Sequence, residues 1–186
     1  MKFRTLLPMM LLLSAIASGC GANPFIAPMP TATATSTSTP LPPTPTATPV
    51  PECAVGDAPD FSGYESWTKV NPKPIKGHEV FVDIYVNDLA EETYLSASGE
   101  IFPVCATIVK PHLESAESEN ITAITVMVKM PVGYDPDHND WWWGMYDREG
   151  KTAEMSGQVQ FCIACHLPAA SEDYVFSQKV LEESQK

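Results

Sequence analysis

Basic side chains are scarce in this sequence: 11 Lys and Arg stand against 23 Asp and Glu, a formal net charge of −12. Residues 1–19 hold Lys2 and Arg4, so without that segment 9 basic residues face 23 acidic ones and the net charge is near −14. A chain so acidic is repelled by phosphate backbones and anionic headgroups, which argues against nucleic acid as a partner. No apolar run is long enough to span a bilayer comfortably; the one through Leu11, Leu12, Leu13, Ala15, Ile16 and Ala17 is too short. There is no internal repeat. Histidine occurs four times and cysteine five times, which limits the combinations that could hold a metal.

What is present begins with an address. Lys2 and Arg4 precede the apolar run, and Ala17, Ser18 and Gly19 lead into Cys20. This reads as an export signal over 1–19 that resembles the lipobox of bacterial lipoproteins, with Cys20 acylated. Plain secretion with an unmodified Cys20 is the alternative. Residues 20–52 are rich in Pro, Thr, Ala and Ser and bury too little apolar surface to offset the entropy of ordering. They read as a lipid-anchored linker that could reach on the order of 80–100 Å. The expected location is extracytoplasmic, periplasmic or cell-surface, tethered to a bacterial membrane.

Residues 53–186 are long enough for one domain with its own core. Residues 79–86 alternate, placing Val80, Val82, Ile84 and Val86 on one face. Further strands are expected over 101–110, 121–130 and 140–147, the last carrying Trp141, Trp142 and Trp143. Gly99, Pro111, residues 131–133 and 147–150 read as turns. One short helix should surround Cys162. A second should begin after Ser171, with Glu172 and Asp173 suiting the positive end of its dipole, and bury Phe176, Val180 and Leu181. The fold class is mainly β (α+β): an antiparallel sheet with a few packed helices.

Cys162-Ile163-Ala164-Cys165-His166 carries the chemistry. Two thiols three positions apart on a helical turn suit thioether attachment of one haem, and the adjacent histidine suits the proximal place at its iron. A zinc site would need a second pair of ligands, and Cys53 and Cys105 lack that close spacing. A thioredoxin-type pair would sit in an α/β pattern that is absent. Cys53 and Cys105 remain for a disulfide, which an oxidising compartment permits, or for two unpaired thiols.

Only 20 residues follow His166, and none is methionine. Met127, Met130, Met145 and Met155 lie upstream on strand-like segments, where methionine ordinarily fills core. His78, His112 and His138 are candidate sixth ligands too, although each reads first as an ordinary surface or turn histidine. An open sixth position on the iron is therefore expected, as small-molecule chemistry requires.

Three stretches together resemble the cytochrome P-460 family and its relatives, the β-rich cytochromes c′. They are the haem motif followed by Ser171-Glu172-Asp173-Tyr174-Val175-Phe176, the aromatic run Asp140-Trp141-Trp142-Trp143-Gly144-Met145-Tyr146, and Ile84-Tyr85-Val86-Asn87 continued through Phe102 to Thr107-Ile108-Val109-Lys110. The resemblance implies a homodimeric, mainly antiparallel β-domain with a five-coordinate haem c over a largely apolar pocket. It also implies a role for Lys110, which occupies the position of a lysine cross-linked to the porphyrin in hydroxylamine-oxidising members. Val104-Cys105 stands where the family has Asp-Gly, and Pro111 where an acidic residue is common.

The function implied is hydroxylamine oxidation towards nitric oxide or nitrous oxide, with a redox partner protein to take the electrons. A non-catalytic nitric oxide binder and a tethered electron-transfer cytochrome are the alternatives. Trp141 and Trp143 would pack on the haem or fill the core, and Glu114 and Asp140 are the available bases.

Overall fold

The computed structural model describes Cys53 and residues 59–186. The export signal, Cys20 and nearly all of the linker lie outside the described residues. Among those described, no helix is long and apolar enough to cross a membrane.

Eight strands form one antiparallel sheet: β1 (Thr68–Lys69), β2 (Ile75–Gly77), β3 (Val80–Val82), β4 (Tyr85–Val86), β5 (Thr107–Leu113), β6 (Ile121–Lys129), β7 (Trp141–Tyr146) and β8 (Ala153–Gly157). The order is β1-β4-β5-β6-β7-β8, and the β2–β3 hairpin joins through β3 alongside β5. Three helices, α1 (Asp88–Ser96), α2 (Gln160–His166) and α3 (Ser177–Ser184), complete the mainly β architecture.

Side chains alternate across this sheet and both faces are covered. Ile108, Met127, Trp141 and Trp143 pack with Ala90 and Tyr94 of α1 and Ile163 of α2, and Val180 and Leu181 of α3 close against them. The opposite face carries Val109, Val126, Val128, Trp142 and Tyr146 under Phe61 and Tyr64. Gly144 is needed where Trp142 and Tyr146 flank it. A Cβ there would lie 2.5 Å from the Trp142 ring and 2.9 Å from the Tyr146 ring.

The expected strand over 79–86 is two strands. Its inward face holds, since Val82, Ile84 and Val86 are buried, but pairing breaks between them. The Asn71 amide intervenes: its oxygen accepts from Ile84 N at 2.7 Å while its nitrogen donates to Val82 O at 3.0 Å. Pro111 is not a turn. It lies inside β5, opposite Ile124, and its carbonyl accepts Asp83 N at 3.2 Å. A residue's N–H and C=O point to the same side of a strand, so the donor Pro111 lacks falls at this break. Residues 101–106 are not strand, which corrects the expected start of β5.

Its actual start turns on Cys105, at φ +70. This left-handed conformation favours glycine. Cys105 is disulfide-bonded to Cys53, its N–H donates to Lys129 O at 2.8 Å, and its carbonyl accepts the Asn87 amide at 3.0 Å. The same Asn87 caps α1 by accepting Ala90 N at 3.1 Å. α1 was not expected, because only Ala90 and Tyr94 of its nine residues are buried and it shows little amphipathic pattern. β1, β2 and β8 were not expected either.

The C-terminal helix begins at Ser177, not after Ser171. Residues Leu167–Glu172 form 3-10 turns, and Asp173 and Tyr174 then take φ +53 and +63, which no helix admits.

Candidate functional site

α2 places Cys162, Cys165 and His166 at i, i+3 and i+4, hence on one helical face. Ile163, on the other side, is buried and anchors the helix to the sheet. Both thiols are free, Cys165 exposed and Cys162 half-buried. Burial, with Cys165 next in effect, pushes the Cys162 thiol up.

His166 is buried, and its Nδ1–H donates to Tyr174 O at 2.7 Å. That bond fixes the tautomer and leaves the Nε2 lone pair for a metal. Burial, and after it the Lys110 charge, hold the imidazole down to about 3, so it is neutral, as a ligand must be. The Trp143 ring meets it edge-on with centroids 4.8 Å apart, and Phe176 stands at 5.4 Å.

The motif opens onto a cavity of about 510 Å³ bordered also by Lys110, His112, Met127 and Trp143. A second of about 170 Å³ shares His78, Lys110, Cys165 and His166 with it. The larger of the two falls in the roughly 300–1,000 Å³ range of cofactor sites. Among the described residues Trp143 Nε1, beside this cavity, is buried without a hydrogen-bond partner, a donor that a group outside the polypeptide can satisfy. Free thiols at the mouth, a neutral imidazole with an open Nε2 and a large apolar space together fit a covalently attached haem.

Lys110 is on the helix-covered face of β5, paired with Thr125, and is not the solvated edge residue that its sequence context alone suggests. It is partly exposed by surface area because it borders both cavities. Its ammonium has no hydrogen bond or ion pair among the described residues. Burial pulls it down to about 8. Two residues on, His112 is buried within the strand. His112 is therefore not a surface or turn histidine, and burial lowers it as well. His78, in the β2–β3 turn and exposed by surface area, is a turn histidine as expected; its Nδ1 lies 3.4 Å from His112 Nε2, and the pocket wall around it lowers its pKa. The Thr125 hydroxyl lies 3.2 Å from His112 Nε2.

Other expected residues separate. Met127, Met145 and Met155 border the cavity, whereas Met130 packs on the opposite face of the sheet. His138 is bound to Asp135 at 2.9 Å, away from the cavity. Glu114 is exposed and accepts from the Asn120 amide, and Asp140 accepts Gly133 N and Asp135 N; neither borders the cavity. Trp141 is core, donating from Nε1 to Asp173 O at 2.7 Å, whereas Trp143 faces the site. Asp173 serves no helix dipole; it pairs with Lys129, a contact invisible without the fold. Among the described residues no group of three or more His, Cys, Asp or Glu could hold a metal ion.

Comparison with curated proteins returns no match. The family model described as cytochrome P460 matches residues 61–177, which spans the sheet, the cavity and the haem motif. With that match over most of the described chain, the protein belongs to the cytochrome P460 family, and the family implies a haem cofactor.

Proposed function

We propose that the protein carries one covalent haem c, attached through Cys162 and Cys165 and ligated by His166 Nε2, and that it oxidises hydroxylamine. The observation that carries this reading is Lys110: an unpaired amine bordering the same cavity as the three motif residues, pulled down to about 8 by burial. At pH 7 an ordinary lysine amine is neutral in well under one molecule in a thousand, but one at about 8 is neutral in roughly a tenth. A lysine link replaces a porphyrin C–H bond by C–N, with two electrons passing to an external oxidant and the protons to solvent. The amine must attack in its neutral form, which is what this environment supplies for the link expected from the family resemblance.

The haem, when bound, supplies an iron that takes up hydroxylamine and accepts its electrons. His166 holds the ligand geometry, fixed by its bond to Tyr174 O. Ile108, Met127 and Trp143 keep water out, and their apolar surroundings strengthen every charge interaction inside. The protons released need an acceptor. His112, buried in β5 and lowered by that burial, and His78, in the exposed turn beside it, stand at the cavity where Glu114 and Asp140 do not.

A second reading, tethered electron transfer, is favoured by one distance: the His78 ring centroid lies 6.0 Å from that of His166, near enough to compete for the iron's sixth position. Binding of nitric oxide without turnover is the outcome if Lys110 stays unlinked. The chain is further proposed to be exported and anchored through Cys20, to form a homodimer, and to pass electrons to a basic partner. The Cys53–Cys105 disulfide supports the oxidising compartment, and the net charge supports the basic partner. Turnover of hydroxylamine with an electron acceptor tests the enzyme reading. Activity lost in Lys110→Ala supports it, and wild-type protein that binds hydroxylamine without turnover refutes it.

A further inference from the structure

We propose that the buried Lys129–Asp173 ion pair is a positioning device for the haem ligand: it fixes the Asp173–Tyr174 backbone so that the Tyr174 carbonyl meets His166 Nδ1. The inference rests on His166 being the iron ligand. It assigns to Asp173, Lys129 and Trp141 a role in setting the iron's electronic character.

The backbone demands an explanation first. Asp173 and Tyr174 stand in succession at φ +53 and +63. A left-handed conformation costs a non-glycine residue roughly 1–2 kcal/mol, so two in a row persist only where the surroundings over-determine them. Those surroundings converge on Asp173. Lys129 Nζ donates to Oδ1 and Oδ2, each at 2.7 Å. Phe102 N donates to Oδ2 at 2.8 Å and the Asn139 amide to Oδ1 at 2.9 Å. The Asp173 carbonyl takes the Trp141 indole N–H at 2.7 Å.

The next carbonyl is the one that receives His166 Nδ1–H, also at 2.7 Å. Tyr174 N–H donates to Ala169 O at 2.8 Å, which closes the turn. Two consecutive carbonyls are thus aimed at two rings, Trp141 and His166, by a residue gripped on both carboxylate oxygens. The grip comes from β6, β7 and the loops beside them, so the sheet dictates where the ligand's partner sits.

Stability alone does not account for the pair. Lys129 is 5 % exposed and Asp173 2 % exposed. Taking two charges that far from water costs several kcal/mol each, and apolar replacements of similar volume are often neutral or stabilising. What apolar side chains cannot do is hold the Asp173 backbone in register with four donors. The Lys129 main chain also binds Cys105 N and Ala106 O at the start of β5. One residue therefore ties the strand that carries Lys110 to the turn that orients His166.

A strong Nδ1–H···O bond makes a ligating imidazole more electron-rich and fixes its plane. The test uses the haem-loaded protein, with Asp173→Asn and, as a milder change that removes the cation but keeps a donor to Asp173, Lys129→Gln. The readouts are the iron–histidine stretch in resonance Raman spectra, the reduction potential and the melting temperature. The expected result is a lowered stretching frequency in both variants, with the ferric–ferrous equilibrium moved about tenfold towards ferrous in Asp173→Asn, equal to about 59 mV for one electron. An unchanged stretch and potential in either folded variant, with only a lower melting temperature, would overturn the proposal. If Asp173→Asn does not fold, Lys129→Gln decides alone. If the wild-type protein shows no iron–histidine stretch, the His166 assignment itself is wrong and the proposal goes with it.

Discussion

Replacing Cys53 by serine should destabilise the domain by about as much as a long loop gains in freedom. The disulfide joins residues 52 apart in sequence. On the chain-entropy account, closing a loop of that size removes about 14 cal/mol/K from the unfolded chain, or about 4 kcal/mol near 25 °C. The bridge also holds Cys105 in its left-handed conformation, where the free residue prefers to relax. For a domain of this size, roughly 3–4 °C of melting temperature accompany each kcal/mol, so Cys53→Ser should melt on the order of 10–15 °C lower. The assay is thermal unfolding followed by far-ultraviolet circular dichroism, with and without a reductant that leaves thioethers intact. Reductant should bring wild type close to Cys53→Ser and leave the variant where it was. The haem spectrum should stay the same in both, because Cys105 N still binds Lys129 O. A variant that melts with wild type, or a wild type indifferent to reductant, would refute the bridge as a stabilising constraint and remove the support it lends to an oxidising compartment.

Lys129→Met leaves Asp173 buried without its cation and should cost about 3–5 kcal/mol; urea unfolding of that variant and of Lys129→Met/Asp173→Leu should show the double variant recovering only part of the loss, because Phe102 N and the Asn139 amide then lose their acceptor. Gly144→Ala drives a methyl against Trp142 and Tyr146 on the face away from the cavity, so it should lose about 1–3 kcal/mol with an unaltered haem spectrum; a changed spectrum would contradict the separation of the two faces. Burial lowers Lys110 from 10.5 to about 8, so between those values the unfolded chain holds a proton that the folded chain has shed. Stability of a haem-free Cys162→Ser/Cys165→Ser chain should then rise across that pH window, by on the order of 1–2 kcal/mol once partial exposure is allowed for. Adding Lys110→Met should abolish the rise, and an identical pH dependence in both chains would count against a desolvated Lys110.

The parts of the fold legible in the sequence are those whose burial is periodic. β6 with its β-branched run, β7 with three tryptophans, and the inward face of 79–86 are readable because alternation reports directly on which face meets the core. What escaped is set by single polar contacts. Asn71 splits one strand in two, Asn87 caps a helix with little apolar pattern, and Asp173 answers to a lysine 44 residues away. Pro111 misled for a related reason: a proline ends a strand only where its missing N–H would have had a partner. The shared face of Cys162, Cys165 and His166 was legible outright, since their spacing and a helical face are the same fact. His112 was not, because the sheet register alone turns it inward at the cavity.

The central claim is a covalent haem whose iron is open to small nitrogen compounds, and the absorption spectrum of the purified ferrous protein before and after nitric oxide tests it most directly. The account predicts a five-coordinate spectrum, with the Soret band shifted to the red by the Lys110 link, that changes on adding nitric oxide. A six-coordinate spectrum that nitric oxide leaves unchanged would contradict it and place His78 or a methionine on the iron.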